Sequence, residues 1–358
     1  MTVWAGRAAA AERAVHTRHL RWLWALPSVR LGRVGWPVQR PARPGQWPGH
    51  WHYWWQAHLL DCALDAYHRA PTQWRRDTVA ALVRGVRVRN VTSWVNDYYD
   101  DIAWLGLALQ RSAALVGLRK PGAEQAILHR LRSGRGPDGG MRWRVGDDFV
   151  NVAATGPAAI LYARRGNLGI AASLVGWILE HLIDPSTGLV FDGARVRSDG
   201  SVRTVERAVY SYCQGVLLGA CVELGIATGR PRWWQHAEAT VHAVAEHLTD
   251  DGVLRGHGGG DGGLFTGILA RYLALAAVAL PAVGSPCAEL AARLVLDSAE
   301  AAWRHRGVAE GGPVFGPRWT VLAQPPGPDL AERDLSVQLS GWMLLEAAAM
   351  LGDRPELS

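Results

Sequence analysis

The chain has 358 residues and a formal net charge of +6, with 49% hydrophobic and 20% charged residues. This composition is typical of a globular protein with a sizeable core, and no linker or low-complexity tract divides it, so we expect one domain over residues 1–358. The basic charge is arginine, because Lys120 is the only lysine, and it is spread along the chain. A nucleic-acid-binding protein would show a clustered basic stripe, so no nucleic-acid partner is expected.

The chain shows no sequence signal for export or membrane insertion. Charged residues are scattered through its N-terminal segment, which argues against a signal peptide, and no apolar run of about 18 residues predicts a transmembrane segment. The four cysteines form no Cys-x-x-Cys pair and no metal-ligand spacing with histidine, so we expect buried thiols and no metal. We therefore expect a cytoplasmic monomer that uses no cofactor.

Glycine and proline punctuation divides the chain into about twelve helical segments, and strand patterns are nearly absent. Segments that are apolar nearly all round, which indicates packing on every side, alternate with segments that carry Arg, Glu and His on one face. Segments with charged residues on one face indicate helices of an outer ring. In chain order the predicted helices are 9–26, 51–70, 73–89, 100–117, 122–133, 150–165, 168–183, 208–228, 231–248, 264–280, 285–305 and 333–351.

The connections between these helices alternate in length. Links from an apolar to an amphipathic helix are short, as at 71–72, whereas the return links are long and rich in Gly, Asp and Trp, as at 184–207. Hairpins with short turns at one end place every long loop, and the start of every inner helix, at the other end. The sequence therefore predicts an all-α fold, an (α/α)6 barrel of six inner and six outer helices.

Two adjacent carboxylates, Asp100 and Asp101, open the second inner helix and are the candidate catalytic residues. Acidic residues favour the first turn of a helix, so one of the pair could be a plain cap with a solvated neighbour. Like charges side by side, however, resist joint ionisation and raise one pKa. A site with one ionised and one protonated carboxyl near neutral pH can supply both a nucleophile and an acid.

The chain is also rich in tryptophan, with 18 Trp against 4 Phe. Indole faces can stack on the apolar faces of sugar rings, although many of them fill the core. Polar residues at the starts of inner helices should face the barrel mouth, unless they cap or pack. The loop with His257 and Asp261 could touch a substrate there. The candidate substrate-binding residues at this end are Asn96, Tyr99, Trp143, Asn151, Tyr212 and Gln214.

Six segments carry a resemblance to a known family in the family's own order. They are Tyr53-Trp-Trp-Gln-Ala-His-Leu-Leu-Asp61, Asn96-Asp-Tyr-Tyr-Asp-Asp-Ile-Ala-Trp104, Gly139-Gly-Met-Arg-Trp143 with Asn151 and Gly156-Pro157, Thr187-Gly-Leu-Val-Phe-Asp-Gly193, Tyr210-Ser-Tyr-Cys-Gln-Gly215 and Gly263-Leu-Phe-Thr-Gly-Ile-Leu-Ala-Arg-Tyr272. Together they resemble glycoside hydrolase family 76, the endo-α-1,6-mannanases. The resemblance implies a retaining glycosidase with Asp100 as nucleophile and Asp101 as general acid/base. It also implies a mannose-containing polysaccharide or lipoglycan as partner.

Two positions depart from the family pattern, which usually has Asn in place of Cys213 and Lys in place of Thr266. These departures keep a glycan-binding protein that has lost turnover as an alternative. A transglycosylase would share every residue named above and is another alternative. A helical-barrel terpene cyclase is a further one. It is disfavoured because the spacing Asp97-x-x-Asp100-Asp101, followed by Trp104, lacks the third acidic ligand of a diphosphate-binding site. Family members are commonly exported, and this chain shows no export signal.

Overall fold

The computed structural model describes residues 2–38, 51–136 and 139–352, and in this part the chain folds as an (α/α)6 barrel. The prediction of twelve helices in an all-α barrel is confirmed. The helices are α1 (Val3–Arg18), α2 (Tyr53–Arg69), α3 (Gln73–Arg89), α4 (Tyr99–Val116), α5 (Pro121–Gly134), α6 (Val152–Arg164), α7 (Leu168–His181), α8 (Ser211–Thr228), α9 (Pro231–His247), α10 (Gly262–Ala279), α11 (Cys287–Arg304) and α12 (Leu335–Gly352).

The even-numbered helices form the inner ring. Each packs against the next even-numbered one, and α12 packs against α2, which closes the ring. The helices α3, α5, α7, α9 and α11 each pack outside the inner helix that precedes them, and α1 packs outside α12. Inner helices are apolar all round because protein surrounds them, as Leu105 in α4 and Trp342 in α12 illustrate, both of them fully buried.

Three inner helices have the length and apolarity of a membrane span, contrary to the sequence prediction. They are Ser211–Thr228, Gly262–Val283, which includes a 3-10 turn, and Leu335–Gly352. Of their apolar windows, 78%, 78% and 89% is buried inside the protein, so barrel packing accounts for their composition. The expectation of buried thiols is confirmed, because all four cysteines are free and buried.

The segment after α1 is extended, so the predicted helix over 9–26 is wrong beyond Arg18. Strand β1 (Leu20–Trp22) pairs antiparallel with β2 (Arg30–Gly32). The chain reverses between them around Pro27, which lacks the backbone N–H that a helix needs. Pairing with β2 and packing of β2 against α3 then outweigh the helical pattern of the sequence.

The long loops contain strands that the sequence prediction missed. Strands β3 (Phe149–Asn151), β4 (Phe191–Val196) and β5 (Val202–Val209) form an antiparallel sheet at the long-loop end, with β4 in the middle. Two small hairpins follow, β6 (Thr249–Asp250) with β7 (Val253–Leu254), and β8 (Gly307–Ala309) with β9 (Gly312–Val314). The loop 184–207 therefore carries a β-hairpin, with Gly200 at φ 87° in its turn.

A side-chain clamp ties several long loops to the starts of the inner helices. The fourth residue of α2, α8 and α12 is a glutamine whose amide both donates to and accepts from one backbone residue of the preceding loop. The pairs are Gln56 with Gly32 (2.7 and 3.0 Å), Gln214 with Val190 (2.8 and 2.9 Å) and Gln338 with Phe315 (3.1 and 2.9 Å). In α6 the fourth residue, Thr155, accepts from the Met141 N–H at 3.1 Å. These buried bonds fix the loops over the barrel mouth.

Candidate active site

A cavity of about 520 Å³ lies at the long-loop end of the barrel. Its wall is drawn from the starts of inner helices and from strands β3 and β4, so residues far apart in sequence meet there. The described wall residues are Trp54, Asp100, Trp104, Trp143, Phe149, Asn151, Ala153, Asp192, Tyr210, Tyr212, His257, Asp261, Gly262, Phe265 and Ile268. Of the eight predicted site residues, Asp100, Trp143, Asn151 and Tyr212 stand in this wall.

Asp100 is the second residue of α4, which begins after Tyr98 in an extended conformation (φ −100°, ψ 120°). The Trp143 side chain and the backbone N–H groups of Asp100 and Asp101 donate hydrogen bonds to its carboxylate. Its Oδ1 is buried and has no hydrogen-bond partner in the described part of the chain. Burial, and to a smaller extent the charge of Asp261, raise the pKa of Asp100 to about 7 in spite of these donors. This carboxyl therefore changes its charge near neutral pH.

Asp101 lies next to the wall and is 9% exposed. Its Oδ2 accepts a 2.5 Å hydrogen bond from Nδ2 of Asn96, and the backbone N–H of Trp54 also donates to the carboxylate. Burial, and then the negative charge of Asp100, raise the pKa of Asp101 well above the ordinary aspartate value. The two shifts act in the same direction and favour the protonated form of each carboxyl, most strongly where both would otherwise be charged. Asn96, predicted to bind substrate, is placed to orient Asp101.

Trp143 and Tyr99 have different environments, although both were predicted to line the cleft. Trp143 stands in the wall, 5.2 Å from Tyr98 between ring centroids in an edge-to-face contact. Tyr99 donates its backbone N–H to the Trp143 carbonyl at 2.9 Å, but its ring is buried against Gly134. A Cβ at Gly134 would lie 2.5 Å from that ring. Tyr99 therefore supports the Trp143 loop from the core.

The three candidates on later inner helices also divide. Asn151 caps α6 by accepting from the Ala154 N–H at 3.1 Å and stands in the wall. The Tyr212 hydroxyl donates to Oδ1 of Asp192 at 2.7 Å, and both side chains stand in the wall. Burial raises the pKa of Asp192 although this hydrogen bond lowers it. The Gln214 amide bonds Val190 in the loop clamp, and the residue lies outside the described wall.

The two departures from the family pattern lie behind the cavity wall. Cys213 is buried with its Sγ 3.9 Å from Oδ1 of Asp192. Thr266 is buried and donates its hydroxyl to the Arg255 carbonyl at 2.9 Å. Both substitutions therefore change the residues that back the wall, and Cys213 does so directly beneath a wall carboxylate.

Several wall residues were not singled out from the sequence, among them Trp54, Phe149, Asp192, Tyr210 and Phe265. Asp192 and Phe149 lie on the β3–β5 sheet, which was not predicted from the sequence. Trp54, Tyr210 and Phe265 lie at the beginning of inner helices, and that position was the signal that could have found them. His257 and Asp261, in the loop predicted to touch substrate, do reach the wall.

A third carboxylate, that of Asp261, lies near Asp100 and Asp101. Nε1 of Trp55 donates to its Oδ1 at 2.9 Å, and its negative charge raises the pKa of both Asp100 and Asp101. In residues 2–38, 51–136 and 139–352, no group of three or more His, Cys, Asp and Glu side chains is arranged to hold a metal ion.

The floor beneath the pair is uncharged. Trp104 lies over the ring of His58, with 4.5 Å between centroids, and Trp54 contacts the same ring edge-on. Burial lowers the pKa of His58 well below its ordinary value, so the ring is neutral. A neutral, apolar floor sustains the raised pKa values of the two aspartates above it.

Comparison with known proteins assigns this architecture to a family. The family model for glycosyl hydrolase family 76 matches residues 36–351. The chain belongs to glycosyl hydrolase family 76. It is thus a glycoside hydrolase by family, as its six sequence segments indicated.

Solved structures of family 76 resemble this chain along nearly its whole length. The α-1,6-mannanase from Salegentibacter sp. HEL1_6 is 28% identical, with a TM-score of 0.85 over 97% of this chain and 99% of that chain. An inactive variant of that enzyme, with two consecutive aspartates replaced by asparagine, is in complex with α-1,6-mannotriose and has a TM-score of 0.84. A Listeria innocua protein, 24% identical with a TM-score of 0.81 over 98% of each chain, shares the fold. No curated protein matches the chain.

Proposed function

We propose that this family 76 hydrolase cleaves α-1,6-linked mannose polymers internally, with Asp100 as nucleophile and Asp101 as general acid/base. The observation that carries the proposal is the adjacent, buried carboxyl pair, with Asp100 in the cavity wall, Asp101 beside it and both pKa values raised. The Salegentibacter relative supports it, because replacing two consecutive aspartates gives an inactive variant in complex with α-1,6-mannotriose.

Other consecutive aspartates in this chain do not fit the role. Asp147 and Asp148 form ion pairs with Arg195, at 2.7 and 2.5 Å. Asp250 ends β6 and pairs with Val253, and Asp251 lies in the tight turn that follows. Neither pair belongs to the described cavity wall, so Asp100 and Asp101 are the pair that a bound sugar would meet.

The proposed reaction proceeds in two steps. Asp101 donates its proton to the glycosidic oxygen while a carboxylate oxygen of Asp100 attacks the anomeric carbon from the opposite face. The C–O bond to the leaving sugar breaks, and a β-linked glycosyl ester forms on Asp100. Asp101, now ionised, takes a proton from water, which attacks the same carbon, releases Asp100 and restores the α-configuration.

The local contacts favour this division of roles. Asp100 stands in the cavity wall, where a bound sugar would meet it, and N–H donors stabilise its carboxylate as leaving group. Asn96 holds Oδ2 of Asp101, which leaves the other oxygen to carry the proton. A transglycosylase would use the same groups with a sugar hydroxyl in place of water.

The chemistry of the wall suits a neutral sugar chain. Aromatic faces of Trp54, Trp143 and Tyr210 offer stacking surfaces for the apolar faces of sugar rings. Asp192 and Asp261 can accept hydrogen bonds from hydroxyl groups, and their charge disfavours anionic ligands. We propose a mannose-containing polysaccharide or lipoglycan as the natural partner.

The test is product analysis with purified α-1,6-mannan, run on the wild type, Asp100→Asn, Asp101→Asn and the control Asp251→Asn. The control removes one member of an adjacent pair outside the cavity. We expect short manno-oligosaccharides from the wild type and the control, and none from the two site variants. Asp100→Asn should still bind α-1,6-mannotriose, which separates a lost reaction from a lost site. Binding by all four proteins with cleavage by none would favour a glycan-binding protein instead.

A further inference from the structure

The β1–β2 hairpin ends in an apolar tip that projects into solvent. We call residues 22–28 the hairpin tip. The exposed fractions of Trp22, Trp24 and Leu26 are 52%, 66% and 40%. Single exposed apolar residues are ordinary on protein surfaces, but three within five positions form a patch that calls for a ligand or partner.

The backbone holds this tip in place against local preference. Trp24, Ala25 and Ser28 have positive φ angles of 49°, 56° and 59°, which residues other than glycine seldom adopt. The Leu23 N–H donates to the Val29 carbonyl at 2.9 Å, which closes the tip. The exposed indoles are therefore presented by a structured turn.

The hairpin is also anchored to the barrel. Nε of Arg84, on α3, donates to the Ser28 carbonyl at 2.8 Å. The Arg30 carbonyl lies so close to Gly85 that a Cβ there would approach it to 1.9 Å. These two contacts fix the hairpin to α3.

The surroundings of the tip are positively charged. The sequence has seven arginines and no Asp or Glu between residues 13 and 60. The guanidinium of Arg30 stacks over Trp22, 4.1 Å from the ring centroid. Within the described part of the chain, Arg21, Arg30, Arg33 and Arg84 form no salt bridge, and Glu310 is the acidic group that acts on Arg21. The apolar tip thus lies beside Arg30 and Arg84, two cations that form no ion pair in the described part of the chain.

We propose that the hairpin tip docks on the surface of an anionic lipid bilayer. Tryptophan favours the headgroup level of a membrane, where its apolar ring and polar N–H are both satisfied. Basic residues near an anionic surface add an attraction of about fivefold in partitioning each. Apolar contact and charge complementarity therefore both favour an anionic bilayer as the partner of the hairpin tip.

Such docking would orient the barrel. The base of the hairpin lies at the long-loop end, where Gly32 is bound by Gln56 at the start of α2, and its tip lies against the C-terminal part of α3. The cavity mouth would then be held near the membrane surface. This inference rests on the hairpin alone and stands or falls separately from the proposed glycosidase activity.

The test is co-sedimentation of the full chain with vesicles of phosphatidylcholine alone, or of equal parts phosphatidylcholine and phosphatidylglycerol. The variants are the double substitution Trp22→Ser with Trp24→Ser, and Arg30→Gln with Arg33→Gln. The matched control, Ile226→Ser with Val283→Ser, removes two exposed apolar residues at the opposite, short-link end. Thermal melting and size-exclusion chromatography of each variant establish folding and oligomeric state.

We expect the wild type and the control to bind the anionic vesicles and to bind neutral vesicles weakly. The tryptophan variant should lose about tenfold or more in partitioning, and the arginine variant should lose a similar factor. Absence of binding by the wild type would overturn the proposal. Binding that survives the tryptophan substitutions would overturn it too, as would a wild-type dimer that the same substitutions dissociate.

Discussion

Nδ2 of Asn96 donates a 2.5 Å hydrogen bond to Oδ2 of Asp101, from the loop before α4 to the helix's first turn. The same Asn96 accepts from the Tyr98 N–H at 3.0 Å, so its amide is oriented at both ends. This short-range contact fixes the rotamer of the proposed acid/base and lowers its pKa against the raising effect of burial.

Replacing Asn96 by alanine should therefore change the pH profile as well as the rate. Loss of the hydrogen bond raises the pKa of Asp101 further, so the alkaline limb of kcat/KM should move to higher pH. Loss of orientation should lower kcat by about 10–100-fold. Asn90→Ala is the control, because Asn90 Nδ2 serves only carbonyls of its own loop, at 3.2 and 3.1 Å. A lower rate with an unmoved alkaline limb would assign Asn96 a purely structural role.

Trp143→Phe removes one N–H donor from Asp100 and keeps an aromatic ring in the wall. The carboxylate loses a stabilising hydrogen bond, so the pKa of Asp100 should rise above about 7. The acid limb of kcat/KM should then move to higher pH, with a loss of about 10–100-fold at neutral pH. Trp177→Phe is the control, because Nε1 of Trp177 has no partner in the described structure. Identical acid limbs in the two variants would contradict the contact.

The raised pKa of Asp100 also predicts how stability depends on pH. A carboxyl whose pKa is higher in the folded than in the unfolded state makes the folded protein bind more protons, so its contribution to stability falls as pH rises. The fall begins near the ordinary value of 3.8 and is complete above about 7. Asp100→Asn should therefore raise Tm at pH 8 and leave it nearly unchanged at pH values near 3.8.

Asp184→Asn provides the opposite sign in the same experiment. Hydrogen bonds from Ser186 and Thr187 lower the pKa of Asp184, so its contribution is present at neutral pH and lost as pH falls through the lowered pKa. Its replacement should lower Tm at neutral pH. A Tm of Asp100→Asn that stays below the wild type at pH 8 would contradict the burial argument.

The clamp formed by Gln214 predicts a stability effect rather than a binding effect. Gln214→Met keeps the side-chain length but leaves the Val190 N–H and carbonyl unpaired in the core. The free energy of unfolding should fall by about 2–4 kcal/mol, measured by urea denaturation. KM for α-1,6-mannan should stay within about twofold. A large rise in KM at unchanged stability would instead assign Gln214 to the substrate, as the sequence alone predicted.

Helix periodicity and loop length were enough to predict the barrel and the end that carries the site. The inner helices are apolar on all sides because protein covers all their faces. The alternation of short and long links predicted the direction of each helix. The strands were missed because β3 to β5 are partly exposed segments inside loops. Their pairing depends on the barrel that brings Phe149 beside Arg195, not on a local pattern.

The site was predicted in part for the same reason. Asp100 and Asp101 were predicted as catalytic residues because two adjacent carboxylates open a helix. In the structure both pKa values are raised, and burial contributes more to the shift than mutual repulsion does. Tyr99 and Gln214 could not be separated from wall residues by sequence position. Successive side chains at a helix start point about 100° apart around the helix axis, and the tertiary contacts decide which of them face the mouth and which the core.

The proposed retaining cleavage is tested most directly by proton NMR of the first product formed from α-1,6-mannan. The new reducing end should appear first as the α-anomer and convert to the β-anomer only by slow mutarotation. Asp100→Asn should release neither anomer, while the control Asp251→Asn should match the wild type. Initial release of the β-anomer would establish an inverting reaction and contradict Asp100 as nucleophile, and product release by Asp100→Asn at the wild-type rate would contradict the site itself.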